Sequence, residues 1–128
     1  MSTREVSILF GSGRLSLRVP ERADILTGPV IPALADPRTE VLTALRNPIG
    51  SKPLRAIAEA KQPASVVITM SDITRPVPNE LLITQILAEL NAAGISDDVV
   101  TILIATGMHR PSTSREREVM LGKELLGR

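Results

Sequence analysis

The sequence contains no cysteine, tryptophan or tyrosine, and Phe10 is its only aromatic residue. The absence of cysteine excludes a disulfide scaffold, thiolate catalysis and cysteine metal sites within this chain. The near absence of aromatic side chains excludes stacking platforms for nucleic-acid bases. The core must therefore be built from Leu, Ile, Val, Ala and Met. The cysteine-free composition suits a reducing compartment, so the expected location is cytoplasmic.

The charges are nearly balanced, with 15 basic and 14 acidic residues scattered along 128 positions. This pattern gives no electrostatic reason to expect a nucleic acid or an anionic membrane as a partner. No apolar run approaches membrane-spanning length, and "MSTREVSILF" lacks the continuous apolar core of a signal peptide. The chain contains one histidine, so only carboxylates could complete a metal site, and we predict none within this chain.

The first 62 residues predict a β-hairpin, an irregular connector and two short helices. "VSILF" and "LSLRV" read as strands joined by Gly11-Ser12-Gly13-Arg14, and we expect a short strand near Ile25 in the proline-bearing connector. Asp36-Pro37 predicts the start of a helix that ends at Asn47-Pro48. Ser51 is the expected cap of a second helix over "PLRAIAEAKQ".

From residue 64 the same pattern of strand, loop and helix occurs twice. "ASVVITM" and "DVVTILIA" are continuous apolar runs, typical of strands buried on both faces, and helical patterns follow both. Thr113 and Glu116 match a capping box at the start of the second helix. The sequence therefore predicts one α/β domain over residues 1–128, with an N-terminal β-hairpin followed by βαβ units and a largely parallel, Rossmann-like sheet.

The two loops leave the carboxyl ends of neighbouring parallel strands, where open α/β sheets bind ligands. The loops offer planar arginine guanidinium groups, hydroxyls and backbone N–H groups, all of which can donate hydrogen bonds. Such donors favour an anionic ligand. Six polar residues are expected to converge at this edge: Asp72, Thr74, Arg75, Thr106, His109 and Arg110.

His109 is a candidate general base, because nearby arginines would favour the neutral imidazole, which has one nitrogen able to accept a proton. The alternative is that His109 only caps a turn. Asp72 has a structural alternative as an Asx turn, and Arg75 has one as a surface ion pair of little consequence. The sequence leaves these alternatives open.

"SDITRPVPNELL" (71–82) and "ATGMHRPSTSREREVMLG" (105–122) together resemble the nickel-dependent lactate racemase family. The resemblance implies an isomerase that racemises or epimerises 2-hydroxy acids by proton-coupled hydride transfer, using a nickel-pincer nucleotide. It implies that His109 is an acid/base residue and that Arg75 clamps the substrate carboxylate. Asp72, Thr74, Thr106 and Gly107 would line the cofactor crevice.

The resemblance matches only the amino-terminal part of family members. The family takes its second acid/base group, its cofactor-anchoring lysine and its nickel-ligating histidine from later sequence. We therefore expect residues 1–128 to be a truncated N-terminal domain that lacks the C-terminal domain and is inactive alone. A standalone anion- or nucleotide-binding module without catalysis is the alternative, and an ordinary α/β domain whose loops carry no chemistry is a third reading.

Overall fold

The computed structural model describes residues 2–128, which divide into two compact units. The first unit ends at Ala33, and the second runs from Leu34 to Arg128. Among the described residues, no helix is both long enough and apolar enough to cross a bilayer.

The first unit contains an antiparallel hairpin of β1 (Thr3–Phe10) and β2 (Gly13–Pro20), as the sequence predicts. Gly11 has φ +56° in the turn, a left-handed conformation that glycine adopts without steric cost. Residues 23–34 form neither helix nor strand, so the predicted short strand near Ile25 is wrong. The physical reason is the local sequence, because Pro29 and Pro32 lack the backbone N–H that a strand ladder requires.

The second unit begins with α1 (Pro37–Arg46) and α2 (Leu54–Lys61). The Asp36 carboxylate caps α1 by accepting hydrogen bonds from the N–H groups of Arg38 and Thr39, which confirms the predicted start. The predicted Ser51 cap of α2 is wrong. Pro53 occupies the cap position, and the Ser51 hydroxyl donates to the carbonyl of Lys52 instead.

The rest of this unit contains β3 (Val66–Ser71), α3 (Asn79–Ala92), a short 3-10 turn, β4 (Val100–Ala105) and α4 (Ser114–Leu126). β3 and β4 are parallel and pair in register from Val66 and Val100 to Ser71 and Ala105. The predicted pair of parallel strands joined by a helix is therefore confirmed. The described strands form two separate two-stranded sheets, so the mixed α/β class is confirmed, whereas a larger Rossmann-like sheet is not.

The core of the second unit lies between the parallel strand pair and the helices, and α1, α2 and α4 each contact α3. Ile83 is 2 % exposed, and Leu87 and Leu121 are 4 % exposed. Strand residues alternate between this core and solvent, with Val67 58 % and Leu103 53 % exposed. The expectation that both faces of these strands are buried is therefore wrong for the described chain, because its helices cover one face only.

Helix α4 contains a break near its end, at Gly122. This residue has φ +73° and ψ +164°, which lie outside the helical region. The side chain of Glu80, in the first turn of α3, occupies the space that a Cβ atom at position 122 would need. Gly122 therefore permits both the backbone conformation and the close approach of Glu80.

Candidate functional site

The site lies at the carboxyl ends of β3 and β4. Ser71 and Ala105 are paired neighbours, so Asp72 and Thr106 are the first residues beyond two adjacent strand ends. Each strand then enters a loop that leads into a helix, α3 or α4. The predicted convergence of the two loops is thus a consequence of the in-register parallel pairing.

Asp72 is buried, with 6 % of its surface exposed, and it uses its two carboxylate oxygens for different loops. Its Oδ1 accepts hydrogen bonds from the Thr74 backbone N–H at 3.2 Å and from the Thr74 hydroxyl at 2.6 Å. This is the Asx-turn arrangement that the sequence left open. The other oxygen, Oδ2, lies 2.6 Å from Nδ1 of His109, which is 37 residues further along the chain.

The contact between Asp72 and His109 determines which imidazole nitrogen faces outward. A carboxylate accepts hydrogen bonds, so in the neutral imidazole Nδ1 carries the proton and Nε2 keeps its lone pair. The His109 side chain is 56 % exposed, whereas that of Asp72 is 8 % exposed. The hydrogen bonds from the Thr74 hydroxyl and from His109 hold the pKa of the Asp72 carboxyl below its usual value, which keeps it ionised at neutral pH.

A tight turn fixes the backbone on the N-terminal side of His109. The His109 N–H donates to the carbonyl of Thr106 at 3.0 Å. Gly107, within this turn, has φ +58°, which explains why glycine fits there. Thr106 and Gly107 therefore shape the backbone of the loop that carries His109.

The guanidinium of Arg110 pairs with the carboxylate of Glu116. Its NH1 and NH2 groups donate to the two oxygens of Glu116 at 2.9 and 2.7 Å, and the same carboxylate accepts from the Thr113 N–H at 2.8 Å. The hydrogen bond from Arg110 is the largest cause that lowers the pKa of Glu116 to about 2. The predicted capping box of Thr113 and Glu116 is confirmed.

Arg75 is exposed, and within residues 2–128 its side chain forms no hydrogen bond or ion pair. Its backbone N–H donates to the carbonyl of Asp72 at 3.2 Å, which closes the loop locally. The ion pair considered for Arg75 is therefore not formed. His109 contacts the carboxylate of Asp72. The sequence had suggested that nearby arginines would set the environment of His109, and neither arginine is its direct partner.

The predicted residues are distributed over two hollows in the surface. A small pocket of about 110 Å³ is lined by Asp72, Thr74 and His109 together with Arg110, Ser112 and Glu116. A larger groove of about 550 Å³ includes Thr106, Ser112 and Arg117 and is otherwise mostly apolar. Arg75 and Gly107 line neither hollow.

Sequence reasoning missed Ser112, Arg117 and the second role of Glu116. The capping-box spacing identified Glu116 as part of a helix start, and its contact with Arg110 required the three-dimensional path of the loop. Among residues 2–128 there is no group of three or more side chains able to hold a metal ion. The small pocket brings together the Asp72–His109 pair, the Arg110–Glu116 pair and the hydroxyl residues Thr74 and Ser112.

Comparison with known proteins identifies the family. The model of the lactate racemase N-terminal domain matches residues 10–128. This chain belongs to that family. It is 43 % identical over 86 residues to a lactate racemase from Thermoanaerobacterium thermosaccharolyticum, a match covering 67 % of this chain and 20 % of the relative.

A second lactate racemase, from Lactiplantibacillus plantarum, is 40 % identical over 83 residues, covering 65 % of this chain and 19 % of the relative. The solved lactate racemase apoprotein from T. thermosaccharolyticum superposes with a TM-score of 0.70 at 32 % identity. That match covers 96 % of this chain and 28 % of the solved chain. The matched part of this racemase-family chain thus spans about a fifth of the length of these curated relatives.

Proposed function

We propose that this chain supplies the N-terminal half of the active site of a racemase or epimerase of 2-hydroxy acids. The observation that carries the proposal is the contact between Asp72 Oδ2 and His109 Nδ1, because it orients a basic nitrogen outward at a strand-end site. Membership of the lactate racemase N-terminal domain family supports the substrate class. Residues 1–128 are proposed to act as the N-terminal domain of the longer enzyme.

His109 is proposed to remove the hydroxyl proton of the substrate. With the proton on Nδ1 held by Asp72, the lone pair of Nε2 is available to accept a proton from a substrate hydroxyl. The Asp72 carboxylate keeps the ring in this orientation and stabilises the imidazolium that forms, as the buried aspartate does in serine-protease triads. In the reverse direction the same nitrogen returns the proton, so His109 serves one face of the substrate only.

Arg75 is proposed to bind the substrate carboxylate. Two arginines lie on the loops of the candidate site, but the guanidinium of Arg110 is already paired with both oxygens of Glu116. Arg75 makes no such contact within the described residues, so its planar donor fork remains available for a carboxylate.

The chain's residues fit the organic part of a nickel-pincer nucleotide but not its metal. Thr74, Thr106 and Ser112 line the two hollows with hydroxyl groups, and the backbone of Gly107 is open to a ligand. Among the described residues no three His, Asp or Glu side chains group to hold a metal ion, and we propose that the nickel ligand and the covalent anchor come from outside residues 1–128, as the family resemblance implies. When bound, this cofactor would supply the hydride acceptor and donor for the carbon centre.

Inversion also requires an acid/base group on the opposite substrate face. We propose that a further part of the longer polypeptide supplies this group, because residues 1–128 contain no second histidine. The chain alone is then expected to be inactive. A cytoplasmic location remains an expectation from the cysteine-free composition.

The test is racemisation of a panel of 2-hydroxy acids by the longer protein loaded with the cofactor. His109→Gln should lower kcat by roughly 10²- to 10⁴-fold, the usual contribution of a positioned general base. The control is Met108→Leu, since the neighbouring Met108 side chain is fully exposed. Undiminished turnover in His109→Gln would reject the proposed role of His109. Absence of racemisation by the wild type would favour an anion-binding module.

A further inference from the structure

His109 lies between two fixed points of its loop. On one side, its own N–H is bonded to the carbonyl of Thr106. On the other side, the next residue, Arg110, is held by Glu116 through two parallel hydrogen bonds of 2.9 and 2.7 Å. The backbone segment between these two points carries the imidazole that contacts Asp72.

Glu116 makes more contacts than a helix cap requires. A capping box needs the glutamate only to accept a hydrogen bond from the backbone of the cap residue, here the Thr113 N–H. In addition, both carboxylate oxygens of Glu116 accept hydrogen bonds from Arg110, and the Glu116 side chain is only 19 % exposed. Most exposed ion pairs contribute little, but bidentate pairing of arginine with a carboxylate is the recognised exception.

We infer that Glu116 is a positioning residue for His109, which acts by clamping Arg110 and so holds the imidazole in its contact with Asp72. The same clamp prevents Arg110 from competing with Arg75 for an anionic ligand. The catalytic meaning of this inference rests on the proposed function of His109, whereas the geometric claim does not. Glu116 itself is not expected to touch the substrate.

Substitutions can separate the contact of Glu116 with Arg110, the clamp, from its contact with Thr113, the helix cap. Glu116→Gln keeps an oxygen that can accept from the Thr113 N–H but cannot receive both N–H groups of Arg110. Thr113→Ala removes the hydroxyl that accepts from the Glu116 N–H and leaves the clamp intact. Glu118→Gln is the matched control, because Glu118 lies on the same helix and its one ion pair within residues 2–128 is with Lys123, at 3.5 Å.

The experiment is long-range 1H–15N NMR of the imidazole in the 128-residue chain, where His109 gives the only histidine signals. At about pH 9, where a typical histidine is neutral, these spectra report which ring nitrogen carries the proton. The wild type, Thr113→Ala and Glu118→Gln should keep the proton on Nδ1. Glu116→Gln should shift the population toward the Nε2–H form, which an imidazole without a partner on Nδ1 prefers.

Two results would overturn the inference: an unchanged tautomer in Glu116→Gln, or an equal change in Thr113→Ala. If circular dichroism shows that Glu116→Gln does not fold, Arg110→Lys is the deciding variant. It keeps the positive charge and the helix cap but lacks the planar guanidinium that donates to both oxygens of Glu116. The wild-type tautomer in Arg110→Lys would also overturn the inference. None of these spectra depends on turnover, so failure of the racemase proposal is recognised separately.

Discussion

At the scale of single residues, Asp72 connects the two loops of the site. One of its oxygens accepts from Thr74 in its own loop, and the other contacts His109 in the neighbouring loop. The hydrogen bonds from Thr74 and His109 lower the pKa of this carboxylate and hold it in place. The orientation of His109 therefore depends on a residue that need not touch the substrate.

Replacement of Asp72 by asparagine should impair turnover more than substrate binding. An asparagine amide can present its NH2 group to Nδ1 and so favour the opposite tautomer, with the proton on Nε2. We expect kcat of the longer, cofactor-loaded protein to fall by about 10²- to 10⁴-fold with little change in KM, as measured by racemisation kinetics. Thr74→Val, which leaves the contact with His109 in place, should have a smaller effect on kcat. An Asp72→Asn enzyme with wild-type kcat would contradict the orienting role.

The sequence was sufficient to predict that Asp72, Thr74, His109 and Arg110 come together, because their positions follow from two strand ends. It did not distinguish the two arginines. Arg110 is occupied by Glu116, six residues further on, and this contact depends on how the loop enters α4. Asp72 was assigned to the cofactor crevice, which remains a prediction, whereas its observed partners are Thr74 and His109.

At the scale of secondary-structure elements, local signals were the most reliable. The caps at Asp36 and Thr113 were predicted correctly because the side chain and the N–H groups that it accepts from lie within three residues. The break at Gly122 was not predicted. A glycine near a helix end is usual, but the conformation at Gly122 depends on Glu80 from another helix.

Gly122→Ala should destabilise the second unit. The backbone at φ +73° and ψ +164° is in a region that is almost exclusive to glycine, which costs other residues roughly 1–3 kcal/mol. The new Cβ would also collide with the Glu80 carboxylate. Chemical denaturation should therefore show a lower free energy of unfolding.

Gly127→Ala is the control, because Gly127 has an ordinary φ of −92° and its added Cβ would meet only normal contacts. Combining Gly122→Ala with Glu80→Ala should recover the part of the loss that is due to the collision, but not the backbone strain. Equal stability of Gly122→Ala and the wild type would show that the break in α4 is not required by the fold.

At the scale of the whole molecule, the parallel pairing of β3 and β4 was predictable and the extent of the sheet was not. Two apolar strands joined by one helix specify a parallel pair, whereas the number of further strands depends on distant sequence. The apolar runs "ASVVITM" and "DVVTILIA" predicted burial on both faces, yet Val67 and Leu103 are exposed in the described chain. The matched segments make up only 19–20 % of the curated relatives, and this chain corresponds to 28 % of the solved apoprotein.

The central claim is that the chain presents His109 with its proton on Nδ1 and its basic Nε2 facing outward. The most direct test is the long-range 1H–15N spectrum of the wild-type 128-residue chain in alkaline buffer, since His109 is its only histidine. A dominant Nδ1–H tautomer is the predicted result. A dominant Nε2–H tautomer would contradict the account, because the outward nitrogen would then have no lone pair with which to accept the substrate proton.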